Sequence, residues 1–220
     1  MAAFCNLVMI VAAGYSQRFG SDKRFVTIGD KKLVAHAIDN ARALKPDAIV
    51  VVVHDPDSFA GIDDIMVIKG GARRQDSVYK GLKTLATHYP ADARVLIHDG
   101  ARGLTPPAAM KRVLRAIVPK VGVVPSLPVT DSLKQSADGH QIDAIIPRDS
   151  LYISQTPQGF CLGDILSCHK DNETDVHDDA ALFASKDHNI IMVKGDILAH
   201  KVTYPHDITI LEALWQAKHV

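Results

Sequence analysis

Residue types suited to phosphate binding collect in short segments of this sequence that follow runs of apolar residues. The four segments are 12–24, 70–77, 98–102 and 155–158. Three of them are basic or rich in glycine. Glycines let the backbone approach a ligand closely, and backbone N–H groups together with Arg or Lys side chains bind phosphate groups. Phosphate chemistry is therefore the class that these segments favour.

The first segment places small residues before two cations. Ala12, Ala13 and Gly14 end an apolar run and let the backbone turn sharply, and Arg18 and Lys23 follow. Such a turn could cradle a polyphosphate, although neither GxxxxGK[ST] nor GxGxxG is present. A surface loop with solvated cations is the structural alternative.

The second segment opens a predicted helix with two glycines. Gly70 and Gly71 permit close backbone approach, and Arg74 could reach an anion at the helix N-terminus. Asp76 and Ser77 are equally suited to capping the helix. A purely structural interpretation of this segment therefore stays open.

The third segment carries a carboxylate and a guanidinium at the end of a predicted strand. Asp99 and Arg102 belong to the run His98-Asp99-Gly100-Ala101-Arg102. In an open α/β sheet, ligands bind beyond the carboxyl ends of the strands. The two charges are thus placed where a substrate or a metal ion would lie, and a buried Asp–Arg ion pair is the alternative.

Other reaction classes lack their motifs. The sequence contains no GxSxG elbow, no HExxH and no acidic residue at a glycine-rich dinucleotide turn. Cys5, Cys161 and Cys168 are odd in number and lack zinc-finger spacing, so we expect reduced, structural thiols. Hydrolase and oxidoreductase chemistry are therefore disfavoured, and we assign no metal-ligating residues.

Charge and hydropathy exclude two kinds of partner. Lys and Arg total 25, and Asp and Glu total 25, so the formal net charge is zero. Such a chain has no general field for nonspecific binding to nucleic acid or an anionic membrane. The longest apolar runs, 7–13 and 48–53, are far shorter than the ~20 residues of a membrane span. The N-terminus lacks the basic lead of a secretory signal, and we expect a cytoplasmic protein.

Apolar runs of strand length alternate with segments of helical periodicity. Strands are predicted at 6–12, 48–53, 65–69, 94–98, 121–125, 152–155 and 189–193, and helices at 33–41, 77–85, 108–117, 162–169, 179–185 and 207–217. Strands that alternate with helices form a mostly parallel sheet covered on both faces. The expected fold class is therefore α/β, and 220 residues suit a single domain over 1–220.

The alternation breaks between Thr130 and Arg148. Asp138-Gly139 separates two stretches of mixed polar and apolar residues, as a turn between antiparallel strands would. We expect a β-hairpin arm over 130–148 that leaves the main sheet. Because such a hairpin cannot bury both faces by itself, a partner chain is its expected cover, and a homodimer is predicted.

With these motifs in this order, the sequence resembles the 2-C-methyl-D-erythritol 4-phosphate cytidylyltransferase family of the non-mevalonate isoprenoid pathway. The resemblance extends from Ile10 to Leu211. It rests on Ala12-Ala13-Gly14 with Arg18-Phe19-Gly20 and Lys23, on Gly70-Gly71 with Arg74 and Asp76-Ser77-Val78, on 98–102, on Pro128-Val129-Thr130-Asp131-Ser132-Leu133-Lys134, on Arg148, on Gln155-Thr156-Pro157-Gln158, and on Lys201-Val202-Thr203. It implies a Rossmann-like nucleotidyltransferase fold with a dimerisation arm.

The resemblance also implies a role for each matching residue. Arg18, Lys23 and Lys201 would be catalytic; Ala12, Ala13, Gly14, Gly71, Arg74 and Ser77 would bind CTP; and Asp99, Arg102, Ser132, Arg148 and Thr156 would bind the second substrate. Ser132 and Arg148 would reach the site from the arm of the partner subunit. The arm would then serve the site as well as the dimer.

The reaction implied by the resemblance is transfer of CMP from CTP to methylerythritol phosphate, with release of pyrophosphate. Mg²⁺, bound mainly through the CTP phosphates, would be the cofactor. No protein nucleophile is required, because positioning and electrostatic stabilisation suffice for phosphoryl transfer.

Two alternatives stay open. A ribitol 5-phosphate cytidylyltransferase would share the architecture and similar nucleotide motifs. A nucleotide-binding protein without turnover is the other alternative. It is motivated by Asp22-Lys23-Arg24 and Ala72, which depart from the family's pattern around the nucleotide.

Overall fold

The computed structural model describes residues 4–14, 26–59, 62–170, 172 and 176–219. The segment 15–25, which carries Arg18 and Lys23, lies outside the described residues. The roles expected for these two cations therefore stay predictions.

Twelve strands and six α-helices are present in the described ranges. The strands are β1 (Asn6–Ala12), β2 (Thr27–Ile28), β3 (Lys31–Lys32), β4 (Ala48–Val53), β5 (Met66–Lys69), β6 (Arg94–Asp99), β7 (Val121–Pro128), β8 (Leu133–Gln135), β9 (Ala144–Ile146), β10 (Tyr152–Ser154), β11 (Gln158–Cys161) and β12 (Asn189–Lys194). The helices are α1 (Leu33–Arg42), α2 (Arg74–Ala86), α3 (Pro107–Ala116), α4 (Leu162–His169), α5 (Asp179–Ala184) and α6 (His206–His219).

The central sheet is mostly parallel. β5, β4, β1 and β6 are adjacent and parallel, and β12 pairs parallel with β7. The antiparallel strand β11 lies between β6 and β7. In the register of β1 and β6, Val11 pairs with Asp99. The last residues of these two strands therefore meet at one edge of the sheet, where the loops that follow them come together.

Apolar side chains of β1 pack alternately onto the two faces of the sheet, as the period of a strand requires. Leu7 and Met9 belong to a buried cluster that includes residues of α2 and α4. Val8 and Ile10 belong to a second cluster with residues of α1 and α3. Both faces are covered by helices, so the predicted α/β fold is confirmed.

β11 is a strand of the central sheet that the sequence pattern missed. We expected 155–158 to be a ligand-binding loop, but Gln158 begins β11 and is buried, at 1% exposure. The four residues of β11 contain a glutamine and a glycine, so no apolar run marks them as a strand. Backbone pairing with β6 and β7, rather than side-chain pattern, specifies this strand.

The predicted hairpin arm is present. β8 and β9 form a separate antiparallel two-stranded sheet, with Gly139 in the left-handed region at φ +76° between them. Ile142 and Ile145 of the arm are 58% and 70% exposed, and Tyr152 and Ile153 of the adjoining β10 are 49% and 53% exposed. The described residues of this chain thus leave an apolar surface on and beside the arm uncovered.

Within the described ranges, no helix has both the length and the apolar character that crossing a bilayer requires.

Candidate functional site

A surface lined by small residues forms where β1 and β6 end. A Cβ atom placed on Gly100 would come within 3.0 Å of the Ala12 Cβ, and one placed on Gly70 would come within 2.4 Å of the Ala13 Cβ. The backbones of three loops therefore approach one another more closely than larger side chains would allow. A flat or anionic ligand can therefore contact the peptide groups of these loops directly.

The loop before α2 is held by the two polar residues that we considered as caps. The Gly71 N–H donates to Ser77 Oγ at 3.0 Å, and this hydroxyl donates to the Arg73 carbonyl at 3.1 Å. The Arg73 N–H donates to the Asp76 carboxylate at 3.0 Å. Asp76 and Ser77 thus act as caps that shape the loop. The hydrogen bond from the Gly71 N–H also holds Ser77 beside the small-residue surface.

A chain of ionisable side chains runs from this edge into the protein. Lys201 Nζ donates to Asp99 Oδ2 at 2.6 Å, and Arg74 Nη2 lies 3.2 Å from Asp99 Oδ1. The same Arg74 nitrogen donates to Asp179 Oδ2 at 2.8 Å. The other oxygen of Asp179 lies 3.1 Å from His169 Nε2. Five side chains that are distant in sequence are thereby connected through direct polar contacts.

The charges of this network stabilise one another. Burial by itself would raise the pKa of the Asp99 carboxyl, but the charges of Arg74 and Lys201 outweigh burial and hold that pKa far below its ordinary value. Burial likewise opposes ionisation of Asp179, yet Arg74 and the hydrogen bond from His169 lower its pKa. The pKa of Arg74 is raised by both carboxylates against the effect of burial. The two aspartates are therefore carboxylates at neutral pH.

Arg102 forms no direct ion pair with a carboxylate among the described residues. Its guanidinium donates to the Ala199 carbonyl at 2.6 Å and to the Ser154 carbonyl at 3.3 Å, and its Nε is buried without a hydrogen-bond partner in the described part of the chain. Burial lowers its pKa. The alternative of a direct ion pair between Asp99 and Arg102 is wrong, because Arg74 and Lys201 occupy the Asp99 carboxylate instead.

Lys201 is brought to Asp99 by the segment that precedes α6. The Val202 N–H donates to the Ala101 carbonyl at 3.0 Å, which ties this segment to the loop after β6. Asp207 anchors its other end, since it accepts hydrogen bonds from the N–H groups of Thr203 and Tyr204, both at 2.7 Å. These bonds place a residue near the end of the chain beside the central strands.

Thr156 connects the strand end to a buried histidine. Its Oγ1 accepts a hydrogen bond from the Asp99 N–H at 3.0 Å and lies 3.0 Å from His98 Nδ1. His98 is fully buried, and burial lowers its pKa to about 4, helped by the charge of Arg102 and opposed by that of Asp99. His98 is therefore neutral at pH 7, and the Thr156 hydroxyl connects it to the backbone of Asp99.

The arm residues lie apart from this network. Ser132 Oγ accepts from Lys134 Nζ at 3.0 Å, and Arg148 donates to the Thr130 carbonyl. Among the described residues of one chain, no hydrogen bond or ion pair joins Ser132 or Arg148 to Asp99. Their predicted contribution to the site depends on a second subunit.

The structure thus divides the predicted site residues between the small-residue surface and the polar network. Ala12, Ala13, Gly71 and Ser77 border the small-residue surface, and Gly14 follows it as an exposed residue. Arg74, Asp99, Thr156 and Lys201 form the polar network or contact it, and Arg102 is held nearby by the carbonyls of Ala199 and Ser154. No site role was predicted for Asp179 or His169. The signal in the sequence was the run His177-Asp178-Asp179, which matches the usual Thr-Asp-Glu of the family that the sequence resembles.

Replacing His98 by Asn tests the neutral, buried state of this histidine. The pKa of His98 is 6.5 in the unfolded chain and about 4 in the folded one. Between these two pH values, the histidine is therefore mostly protonated in the unfolded state and mostly neutral in the folded state. Stability should therefore decrease as the pH falls through this window, by about 3 kcal/mol in total. His98→Asn keeps a polar atom for Thr156 but cannot titrate. Urea unfolding at pH 7 to 4 should show a steeper loss for the wild type than for the variant, and parallel curves would contradict this assignment.

Comparisons with known proteins place this chain in a family. Residues 6–217 match the family described as "IspD: 2-C-methyl-D-erythritol 4-phosphate cytidylyltransferase". A protein of Granulibacter bethesdensis named "Bifunctional enzyme IspD/IspF" is 38% identical over 209 residues, which cover 93% of this chain and 54% of that protein. An Acaryochloris marina protein named "2-C-methyl-D-erythritol 4-phosphate cytidylyltransferase" is 33% identical over 226 residues, covering 96% of this chain and 94% of that protein.

A solved structure shows the same fold. The crystal structure of 2-C-methyl-D-erythritol 4-phosphate cytidylyltransferase from Thermus thermophilus has a TM-score of 0.81 and 29% identity, and the match covers 95% of this chain and 98% of that one. The chain spans about half the length of the bifunctional relatives that it matches. Because the family match extends over nearly all of the residues that build the sheet and its polar edge, the chain belongs to the 2-C-methyl-D-erythritol 4-phosphate cytidylyltransferase family.

Proposed function

We propose that this chain transfers CMP from CTP to 2-C-methyl-D-erythritol 4-phosphate, giving 4-diphosphocytidyl-2-C-methyl-D-erythritol and pyrophosphate. The observation that carries the proposal is the position of Asp99, Lys201 and Arg102 beside a surface of small residues at the end of the sheet. Family membership supports the same reaction.

The small-residue surface suits the nucleotide. Ala12, Ala13, Gly70 and Gly71 expose backbone rather than large side chains. Peptide groups can recognise the edge of a cytosine and can approach phosphate oxygens closely. In this proposal the adjoining segment 15–25 supplies Arg18 and Lys23 to the triphosphate.

The second substrate would bind beside Asp99, where the polar network meets the edge of the sheet. The Arg102 charge lacks a carboxylate partner among the described residues, so it is available to the substrate phosphate. Asp99 is a buried acceptor suited to a polyol hydroxyl, and Thr156 lies next to it. A polyol that carries a phosphate matches this combination of one acceptor and one unpaired cation.

The reaction needs no covalent intermediate with the protein. An oxygen of the substrate phosphate attacks the α-phosphorus of CTP and forms a new P–O bond, while the bond to the β-phosphate oxygen breaks and pyrophosphate departs with the electron pair. Negative charge crowds both reactants, so cations that approach the transferring phosphate lower the barrier. Lys201, with Arg18 and Lys23, is proposed to have this role.

Mg²⁺ is the proposed cofactor. Mg²⁺ typically binds substrate phosphates together with one or two carboxylates and several waters, and in this proposal the CTP phosphates supply most of its ligands. When bound, the cation would neutralise part of the triphosphate charge and make attack easier.

We further propose that the arm assembles a homodimer in which Ser132 and Arg148 serve the partner's site. The exposed Ile142 and Ile145 of the arm and the exposed Tyr152 and Ile153 of β10 support a protein cover for this surface. A two-stranded sheet by itself is marginally stable in water. A second copy would bury these side chains and bring the arm to the site.

The cytoplasm is the compartment that we propose for this reaction. Cys5, Cys161 and Cys168 are free thiols, as expected from their spacing. Unpaired thiols are typical of reducing compartments.

A substrate panel tests the activity. The full chain, incubated with CTP, Mg²⁺ and 2-C-methyl-D-erythritol 4-phosphate, should release pyrophosphate, measured with a coupled phosphate assay. Ribitol 5-phosphate in place of the methylerythritol substrate should give far slower release. Faster turnover of ribitol 5-phosphate would replace the proposed substrate, and binding of CTP in calorimetry without release from either polyol phosphate would identify a nucleotide-binding protein without turnover.

Replacing Lys201 by Ala should lower kcat by about 10²–10³-fold if its ammonium group stabilises the charge of the transition state. The matched control is Lys111→Ala, which removes an exposed lysine from α3 and should leave kcat unchanged. Circular dichroism and CTP calorimetry establish that both variants are folded. Equal turnover by the Lys201 variant and the wild type would remove this lysine from the mechanism.

Mixing two inactive variants tests the shared site. In a heterodimer of Lys201→Ala and Arg148→Ala subunits, one site retains its own Lys201 and receives Arg148 from the partner. Random exchange should therefore restore about a quarter of the wild-type activity, since half of the dimers are mixed and each has one intact site. Light scattering should report a dimer. A monomer, or a mixture as inactive as its components, would refute the proposal.

A further inference from the structure

Two buried members of the ion-pair network, Asp179 and His169, take no part in the reaction proposed above. Asp179 is 1% exposed and His169 is 4% exposed. A buried carboxylate costs free energy unless it is paired and hydrogen-bonded. Asp179 is fully engaged by Arg74 and His169, and Arg74 is also the partner of Asp99.

The fold holds Asp179 at this position through its neighbour. Asp178 caps α5 by accepting a hydrogen bond from the Ala181 N–H at 2.8 Å, and it accepts a second from Gln158 Nε2 at 2.8 Å. Gln158 Oε1 in turn accepts from the Ala180 N–H at 2.9 Å. The start of α5 is therefore fastened to β11, next to the strand that ends in Asp99.

The distances show how Arg74 is divided between its two carboxylates. Arg74 Nη2 lies 2.8 Å from Asp179 Oδ2 but 3.2 Å from Asp99 Oδ1, and Arg74 Nε lies 3.3 Å from the same Asp99 oxygen. The closer contact is with Asp179. The second oxygen of Asp99 lies 2.6 Å from Lys201 Nζ. The four charges, two negative and two positive, balance within this arrangement.

Loss of the Asp179 charge would change this division. Arg74 would keep a single carboxylate, and guanidinium groups prefer bidentate contact with a carboxylate. The Asp99 side chain would then turn both oxygens towards Arg74 and away from Lys201. A small displacement of this kind is enough to lower the rate of a reaction that depends on positioning.

We propose that Asp179, itself held by His169, is a positioning residue that keeps Arg74 from capturing the Asp99 carboxylate, so that Asp99 can orient Lys201 and the second substrate. The inference rests on the proposed transfer of CMP. It assigns to α5 and α4 a role in the orientation of the site.

Asp179→Asn, compared with Asp178→Asn, is the central test. Both variants remove one carboxylate from the start of α5 and keep a side chain of the same shape, and Asn remains a good helix cap. Asp179→Asn should lower kcat by about 10–100-fold while the KM for CTP changes by less than about twofold. Asp178→Asn keeps an oxygen for the Ala181 N–H, and the bond from Ala180 to Gln158 still fastens α5 to β11. This variant should therefore lose some stability in urea unfolding but retain kcat, with active sites counted by CTP calorimetry.

Two further comparisons separate positioning from a purely structural role. In a background of Arg74→Gln, the substitution Asp179→Asn should cause no additional loss of kcat, because its effect passes through Arg74. His169→Gln, which retains an N–H donor, should keep kcat near the wild-type value, whereas His169→Leu should lower it. Wild-type kcat in Asp179→Asn, or additive losses in the double variant, would overturn the inference.

A measurement that does not use the reaction keeps the test independent of the proposed function. The rate at which an N-hydroxysuccinimide ester acylates Lys201, followed by mass spectrometry, reports whether Asp99 still holds this amine. Acylation should be several-fold faster in Asp179→Asn than in the wild type and unchanged in Asp178→Asn. If the wild type released no pyrophosphate, the proposed function would fail, and equal acylation in all three proteins would still separately refute the positioning role.

Discussion

The ionised Asp99 carboxylate, buried between Arg74 and Lys201, is the interaction on which the site depends. A carboxylate in the interior is strongly unfavourable without partners. Its two direct partners come from the start of α2 and from the segment before α6, and the Thr156 hydroxyl accepts a hydrogen bond from the backbone N–H of the same residue. Docking of these elements onto the end of β6 is therefore a condition for burying Asp99, and the same docking assembles the site.

Local charge, rather than net charge, makes this edge of the sheet suitable for phosphorylated ligands. The chain as a whole has no formal net charge. At the edge, two cations are balanced by Asp99 and Asp179, while Arg102 is held by backbone carbonyls without a carboxylate partner in the described part of the chain. Cations that are already neutralised rigidify the site, and an unpaired one is free to bind an anion.

The sequence pattern predicted the layered fold because the central strands are continuous apolar runs that are buried on both faces, as parallel strands are. The pattern did not predict β11, because this strand contains no apolar run and is specified by backbone pairing with its neighbours. For Asp99, proximity in sequence suggested a pair with Arg102. The folded chain pairs it with Lys201, 102 positions away, since an ion pair depends on distance in space and not along the chain.

By itself, the sequence determined the α/β class, the arm and the motifs that end each strand, because these follow from local periodicity and from the backbone preferences of glycine and of turn residues. The partners of the charged groups were decided by the tertiary structure alone. No role follows from the sequence for Asp179 or His169, and Asp179 reaches Arg74 and His169 only once α4 packs against α2 and α5 packs against α4. The physical reason is that a buried charge takes whichever partners the packing of separate elements brings within hydrogen-bond distance, and no local pattern encodes that packing.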